Sequence, residues 1–202
     1  MNETGVAGFF QGTGMPNPDW WEALWPDPVH VLTLVGIQSG MEVVDLCCGD
    51  GWFTLPIARI ARHTIAIDID GKLLKAARRR LDDNNVKNCD YVEGNANDVD
   101  RLVKHPVDFV FLSNVFHGVP DKPHLCRAVR AILKPHGLFA IINWYARPRE
   151  QTSVLGQARG PETALRMTPE ATVAAVELSG FRLRNIDQVS PYHYGSVFTN
   201  SH

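Results

Sequence analysis

The segment Val43-Val44-Asp45-Leu46-Cys47-Cys48-Gly49-Asp50-Gly51 runs from an apolar stretch into a turn with two glycines. A buried strand that enters such a turn and leaves it as a helix gathers backbone N–H groups and a helix N-terminus at one point. In open α/β sheets that point is where ligands bind. Gly49 and Gly51 let the chain turn sharply and let a ligand approach the backbone. Two carboxylates flank the turn. Asp45 lies just before it, and Asp68 ends the next apolar run, 23 positions after Asp45. An acidic residue at the second place takes both ribose hydroxyls, whereas Asp45 would repel a pyrophosphate and attract a cation. The dinucleotide fingerprint G-x-G-x-x-G needs glycine at position 54, and the chain has Thr54. Together these residues predict a ligand with a ribose and a positive charge but no phosphate.

The elements that must position this turn follow from short apolar runs alternating with helical patterns. Strands are predicted at Met41–Leu46, Thr64–Ile69, Cys89–Glu93, Val107–Leu112 and Leu138–Tyr145. Helices are predicted at Trp52–Arg62, Lys72–Asn84, Lys122–Leu133 and Thr168–Ser179, the last capped by Thr168 with Pro169 at its first position. Such alternation signals a parallel sheet covered on both faces. Phe181–Val189 and Tyr192–Thr199 have no helix between them to cross over, so they pair antiparallel. Ahead of the sheet, Asn17-Pro18 and Asp27-Pro28 each open a short helix, and Trp21, Leu24 and Trp25 fall on one face of the first. Residues 1–16 have no period and read as a flexible segment that a ligand orders. Residues 146–168 read as a loop-rich insertion.

The chain has 202 residues, a formal net charge of −2 and 45% hydrophobic residues, so it can bury a sizeable core. A polyanion binder held by charge alone is not expected, and no nucleic-acid partner is predicted. No apolar stretch reaches membrane-spanning length and no signal-peptide pattern opens the chain. Four cysteines without CxxC spacing, and histidines without ligand spacing, predict neither a disulfide framework nor a metal site. The expected setting is a reducing one, the cytoplasm, with no membrane partner. The oligomeric state is not legible.

With VVDLCCGDG (43–51), AIDID (66–70), YVEGNAND (91–98), VDFVFLSNVFHGV (107–119) and LKPHGLFAII (133–142) in this order, the sequence resembles the class I S-adenosylmethionine-dependent methyltransferases. The resemblance covers roughly residues 36–145. It implies a single doubly wound, mostly parallel seven-stranded sheet with the last strand antiparallel. That α/β domain would span 36–202, with a flexible segment and helical lid over 1–35. By resemblance, Asp45 lies near the amino-acid end of S-adenosylmethionine, Asp68 binds the ribose hydroxyls and Ile69 packs on adenine. Asn95 and Ala96 sit by the adenine edge, and Asn114 and Val115 close over the methionine moiety. Cys47 stands where the family usually has its first glycine, and Asn95 where it often has Asp. The product would be S-adenosylhomocysteine.

His117 lies in the turn after the fourth strand, facing the transferred methyl, where it is a candidate general base. Trp21 and Trp25, with Trp144 and Tyr145 opposite, are candidates for the acceptor pocket. Trp20 belongs to the same patch. Arg147, with Arg149, Arg159 and Arg166, would face a carboxylate- or phosphate-bearing acceptor. Cys47–Cys48 is read as apolar packing, and Arg78-Arg79-Arg80 as a solvated helix face. The function so implied is methyl transfer to a small molecule. Two rivals stand beside it: an NAD(P)-dependent oxidoreductase of doubly wound fold, and a non-catalytic cofactor-binding regulatory protein.

Overall fold

A computed structural model describes residues 8–200 of the chain. Two short helices, α1 (Pro18–Leu24) and α2 (Pro28–Leu34), precede the first strand, β1 (Glu42–Leu46). There follow α3 (Thr54–Ile60), β2 (His63–Asp68), α4 (Gly71–Asp83), β3 (Cys89–Glu93), α5 (Val99–Leu102), β4 (Val107–Ser113), α6 (Lys122–Ile132) and β5 (Leu133–Trp144). A small hairpin, β6 (Ser153–Val154) and β7 (Gln157–Ala158), interrupts the chain before α7 (Pro169–Glu177), β8 (Phe181–Ser190) and β9 (His193–Asn200).

The seven main strands lie in the order β3-β2-β1-β4-β5-β9-β8. Strands β1 to β5 are parallel, and β9 runs antiparallel to both β5 and β8. The predicted reversal at the end of the chain is therefore present. The order turns back on itself between β1 and β4, and at such a switch point the carboxyl ends of the two strands splay apart into a cleft. At the start of β5, Leu133 pairs with Val107 and Leu138 with Phe109, so the expected Lys134-Pro135-His136-Gly137 turn loops out as an irregularity within the strand.

Strand pleating sorts the core into two layers. Val44, Leu46, Val110, Leu112, Phe139 and Ile141 join the cluster beneath α5, α6 and α7. Val43, Phe109, Phe111, Ala140 and Ile142 join the cluster beneath α1, α2 and α3. Trp25 and Leu32 are fully buried in that second cluster. Thus α1 and α2 pack on one face of the sheet. No helix among the described residues is long and apolar enough to cross a membrane.

Candidate functional site

The carboxyl ends of β1, β2, β4 and β5 open into a cavity of about 970 Å³. The residues named from sequence that line it include Trp21, Asp45, Cys47, Gly49, Asp68, Ile69, Asn95, Ala96, Asn114, Val115, His117 and Trp144.

The turn after β1 is built on left-handed backbone. Cys47 has φ +60°, Gly49 +58° and Gly51 +86°. A non-glycine residue pays about 1–2 kcal/mol for that conformation, and such strain gathers at functional sites. Cys47 thus adopts a glycine conformation. Gly49 faces the cavity. Gly51 does not line it: a Cβ there would stand 2.9 Å from the Cα of Ala77, so glycine allows α4 to pack on the turn. Arg80 fixes the same turn from α4. Its guanidinium meets Asp50 Oδ2 at 2.6 Å and the Asp50 carbonyl at 3.1 Å, so Arg80 is a structural staple and not part of a solvated face. Burial, with the charges of Asp45 and Asp68 adding to it, pushes the Cys47 and Cys48 thiols up, so both stay protonated and fill space.

The Gly49 N–H donates to Asp68 Oδ2 at 2.8 Å, and the Asp70 N–H donates to Asp68 Oδ1 at 2.9 Å. These bonds orient the Asp68 carboxylate and leave each oxygen a lone pair. Asp45 is buried, and Thr54 Oγ donates to its Oδ2 at 2.6 Å. Thr54, which fails the dinucleotide fingerprint, therefore has a positive role in holding the acidic side chain. Burial pushes the Asp45 carboxyl up to about 7, opposed by the Thr54 bond and aided by the Asp68 charge. Asn114, at φ +61°, keeps a buried amide oxygen without a partner. Asn95 Oδ1 caps the short turn at Ala96–Asp98 by accepting from the Asn97 N–H at 3.0 Å.

His117 reaches the wall but is not free. Its Nε2 lies 3.1 Å from the Gly12 carbonyl, and its Nδ1 lies 3.3 Å from Asn143 Oδ1. Burial lowers its pKa, so the ring is neutral near pH 7, with one N–H to share between two partners. Gly12 belongs to a strap, residues 8–16, every residue of which lines the cavity. A Cβ on Gly8 would meet Ile69 and Asn95, while Met15 Sδ overlies Gly49. Sequence reading missed the strap's contacts because glycine-rich aperiodic chain carries no packing signal.

Trp25, Tyr145 and Arg147 do not line the cavity. Trp25 is core, packed on Phe53 and His193. Tyr145 turns toward Tyr194, and exposed Arg147 stacks over Tyr145 with its side chain bonded to the Pro191 carbonyl. Trp20, Trp52, Phe53, Arg149, Arg159 and Leu165 are on the wall. Trp52 and Phe53 lie next to the glycines, but nothing in their spacing separates a cavity position from a core one. Among the described residues, no group of three His, Cys, Asp or Glu side chains is placed to hold a metal ion.

A parallel sheet with a reversed terminal strand, and a carboxylate tied to the glycine turn at the switch point, make up an α/β domain of the methyltransferase type. Residues 43–137 match a family described as a methyltransferase domain. The chain is 30% identical over 127 residues to the ubiquinone biosynthesis O-methyltransferase of Xanthomonas euvesicatoria, covering 58% of this chain and 53% of that one. It is 27% identical over 117 residues to the demethylmenaquinone methyltransferase of Listeria welshimeri, covering 56% and 49% respectively. The chain thus spans about half the length of these curated relatives. An S-adenosylmethionine-dependent methyltransferase from Aquifex aeolicus has the same fold, with a TM-score of 0.76 at 21% identity over 91% of this chain and 94% of that one. The cyclase SpnF also shares the fold, with a TM-score of 0.63 at 18% identity over 80% of this chain and 60% of that one. Residues 43–137 thus match a methyltransferase-domain family, and the fold is that of an S-adenosylmethionine-dependent methyltransferase.

Proposed function

We propose that the chain transfers a methyl group from S-adenosylmethionine to a small planar molecule. The observation that carries this reading is the Asp68 carboxylate, oriented on the cavity wall by the N–H groups of Gly49 and Asp70. Its free lone pairs suit a ribose diol. The buried carboxyl of Asp45 and the unpartnered amide oxygen of Asn114 suit the cationic amino-acid end. Ile69, Asn95 and Ala96 would take the adenine, while Cys47, Gly49 and Val115 would enclose the methionine moiety.

When bound, S-adenosylmethionine supplies an electrophilic sulfonium methyl. The protein's share is position: Asp68 and Asp45 fix the cofactor, and Trp20, Trp21 and Trp144 hold a flat acceptor beside it. Alignment of this kind is worth about 7–11 kcal/mol in well-oriented reactions. His117 acts first as the anchor of the strap. To serve as a base it would have to give up the Gly12 carbonyl. Two of the relatives carry names from ubiquinone biosynthesis and demethylmenaquinone methylation, and a tryptophan-lined wall fits a ring acceptor. Four free thiols suit a reducing compartment such as the cytoplasm.

Calorimetry tests the reading. S-adenosylhomocysteine is expected to bind with micromolar affinity, about −8 kcal/mol, and Asp68→Ala to weaken it at least tenfold by removing charge-assisted hydrogen bonds. Tighter binding of NAD(H) to the folded protein would overturn it. Formation of S-adenosylhomocysteine across a panel of ring acceptors separates an enzyme from a silent cofactor binder or a cyclase.

A further inference from the structure

We propose that the acceptor is an aromatic acid whose carboxylate is bound by Arg149 and Arg159 against the tryptophan wall. This rests on the methyltransferase reading and names its acceptor class. Both arginines line the cavity, and both come from the segment between β5 and α7. The Arg159 guanidinium sits 5.2 Å over the Trp20 ring, and Trp20 packs edge-on against Trp21. Two buried donors on this wall have no acceptor: Arg159 Nε and the indole Nε1 of Trp21, a side chain only 7% exposed.

No ion pair closes on the charge around them. Arg166 is buried beside this wall, its guanidinium 5.0 Å over Trp144. It donates to the carbonyls of Pro161, Arg147 and Arg159 and to Thr152 Oγ, all neutral acceptors, which staples the segment together without an ion pair. Arg149 spends its Nε on the Gly160 carbonyl. Among the described residues, no ion pair includes Arg149, Arg159 or Arg166. Three guanidinium groups at a partly buried wall, with orphan donors among them, favour an anionic ligand because a charge out of water needs a partner.

The carboxylates of the site do not meet this need. Asp68 ends β2 and Trp144 ends β5, three strands apart, or about 14 Å at usual strand spacing. Exposed Glu162 lines the arginine side of the cavity and exposed Glu150 also acts on Arg166, and both disfavour a dianion more than a single carboxylate. A guanidinium fork matches a carboxylate in two parallel hydrogen bonds, and the indole faces supply the surface for the ring that bears it.

The test loads the protein with S-adenosylhomocysteine, then titrates benzoate and 3,4-dihydroxybenzoate against benzamide, catechol and phenyl phosphate. The carboxylates are expected to bind at least tenfold more tightly than their neutral counterparts. Arg159→Gln should erase that preference and Arg159→Lys should keep part of it, with S-adenosylhomocysteine affinity unchanged in both. Arg149→Gln gives the same readout if Arg159→Gln does not fold. Equal binding of benzoate and benzamide, or tighter phenyl phosphate, overturns the proposal. So does loss of S-adenosylhomocysteine affinity in Arg159→Gln, which would assign the arginine to the cofactor's own carboxylate. Failure of S-adenosylhomocysteine to bind the unmodified protein defeats the methyltransferase reading instead, and the benzoate–benzamide comparison still decides the arginine wall.

Discussion

Asp45 carries an unfavourable burial that a cationic ligand would relieve. Its carboxyl is held near 7 in the fold against an ordinary value of 3.8, chiefly by desolvation. A raised carboxyl means that the folded chain binds the extra proton, so its contribution to stability is full below about pH 4. That contribution is lost as pH rises toward 7. Asp45→Asn is therefore expected to raise the melting temperature more at pH 8 than at pH 5. A cation placed beside the carboxylate pulls its pKa down, so cofactor binding near pH 7 should release a proton. Calorimetry of S-adenosylhomocysteine in two buffers of different ionisation enthalpy reads that release directly, and Asp45→Asn should abolish it. Equal heats in both buffers for the unmodified protein would refute the assignment of the cationic end to Asp45.

The element that sets access to the site is the strap at 8–16. Phe10 packs it into the core, the Gln11 carbonyl lies close over Gly118, and among the described residues its hydrogen bond to the rest of the domain is that of the Gly12 carbonyl with His117 Nε2. Loss of one such hydrogen bond is worth about 1 kcal/mol, or about fivefold in an equilibrium. His117→Ala is expected to speed amide exchange across residues 8–16 by about that factor and to weaken S-adenosylhomocysteine by a similar amount. Turnover at saturating cofactor should fall less than tenfold. A general base would give the opposite pattern, a loss of about 10²–10⁴-fold with strap exchange and cofactor binding unchanged. Both measurements together decide the role of His117.

At the scale of the whole molecule, α1 and α2 belong to the cooperative core. Trp25 contacts Phe53 of the β1–α3 turn and His193 of β9, so one indole joins the two ends of the chain. Trp25→Ala is expected to cost about 3–5 kcal/mol, and denaturant unfolding should stay a single transition. An early, separate loss of helical signal would show instead that the first two helices melt as a unit of their own.

The parallel strands, the glycine turn and the pair Asp45 and Asp68 were all legible in the sequence. Each is encoded locally, by an apolar run, by residues that tolerate tight backbone, or by a carboxylate at a strand end. The reversed last strand was legible too, because no crossover helix precedes it. Tertiary structure alone decided which aromatic and cationic side chains face the cavity. Trp21 and Trp25 lie four residues apart around the end of α1, yet Trp21 reaches the wall and Trp25 fills the core. Arg147 and Arg149 are two apart, yet the first stacks on Tyr145 outside the cavity and the second lines it. Spacing fixes which residues can share a face, but the neighbour that covers each face comes from chain distant in sequence. For this cavity that chain is the strap and the segment after β5, brought together only when the sheet closes its order.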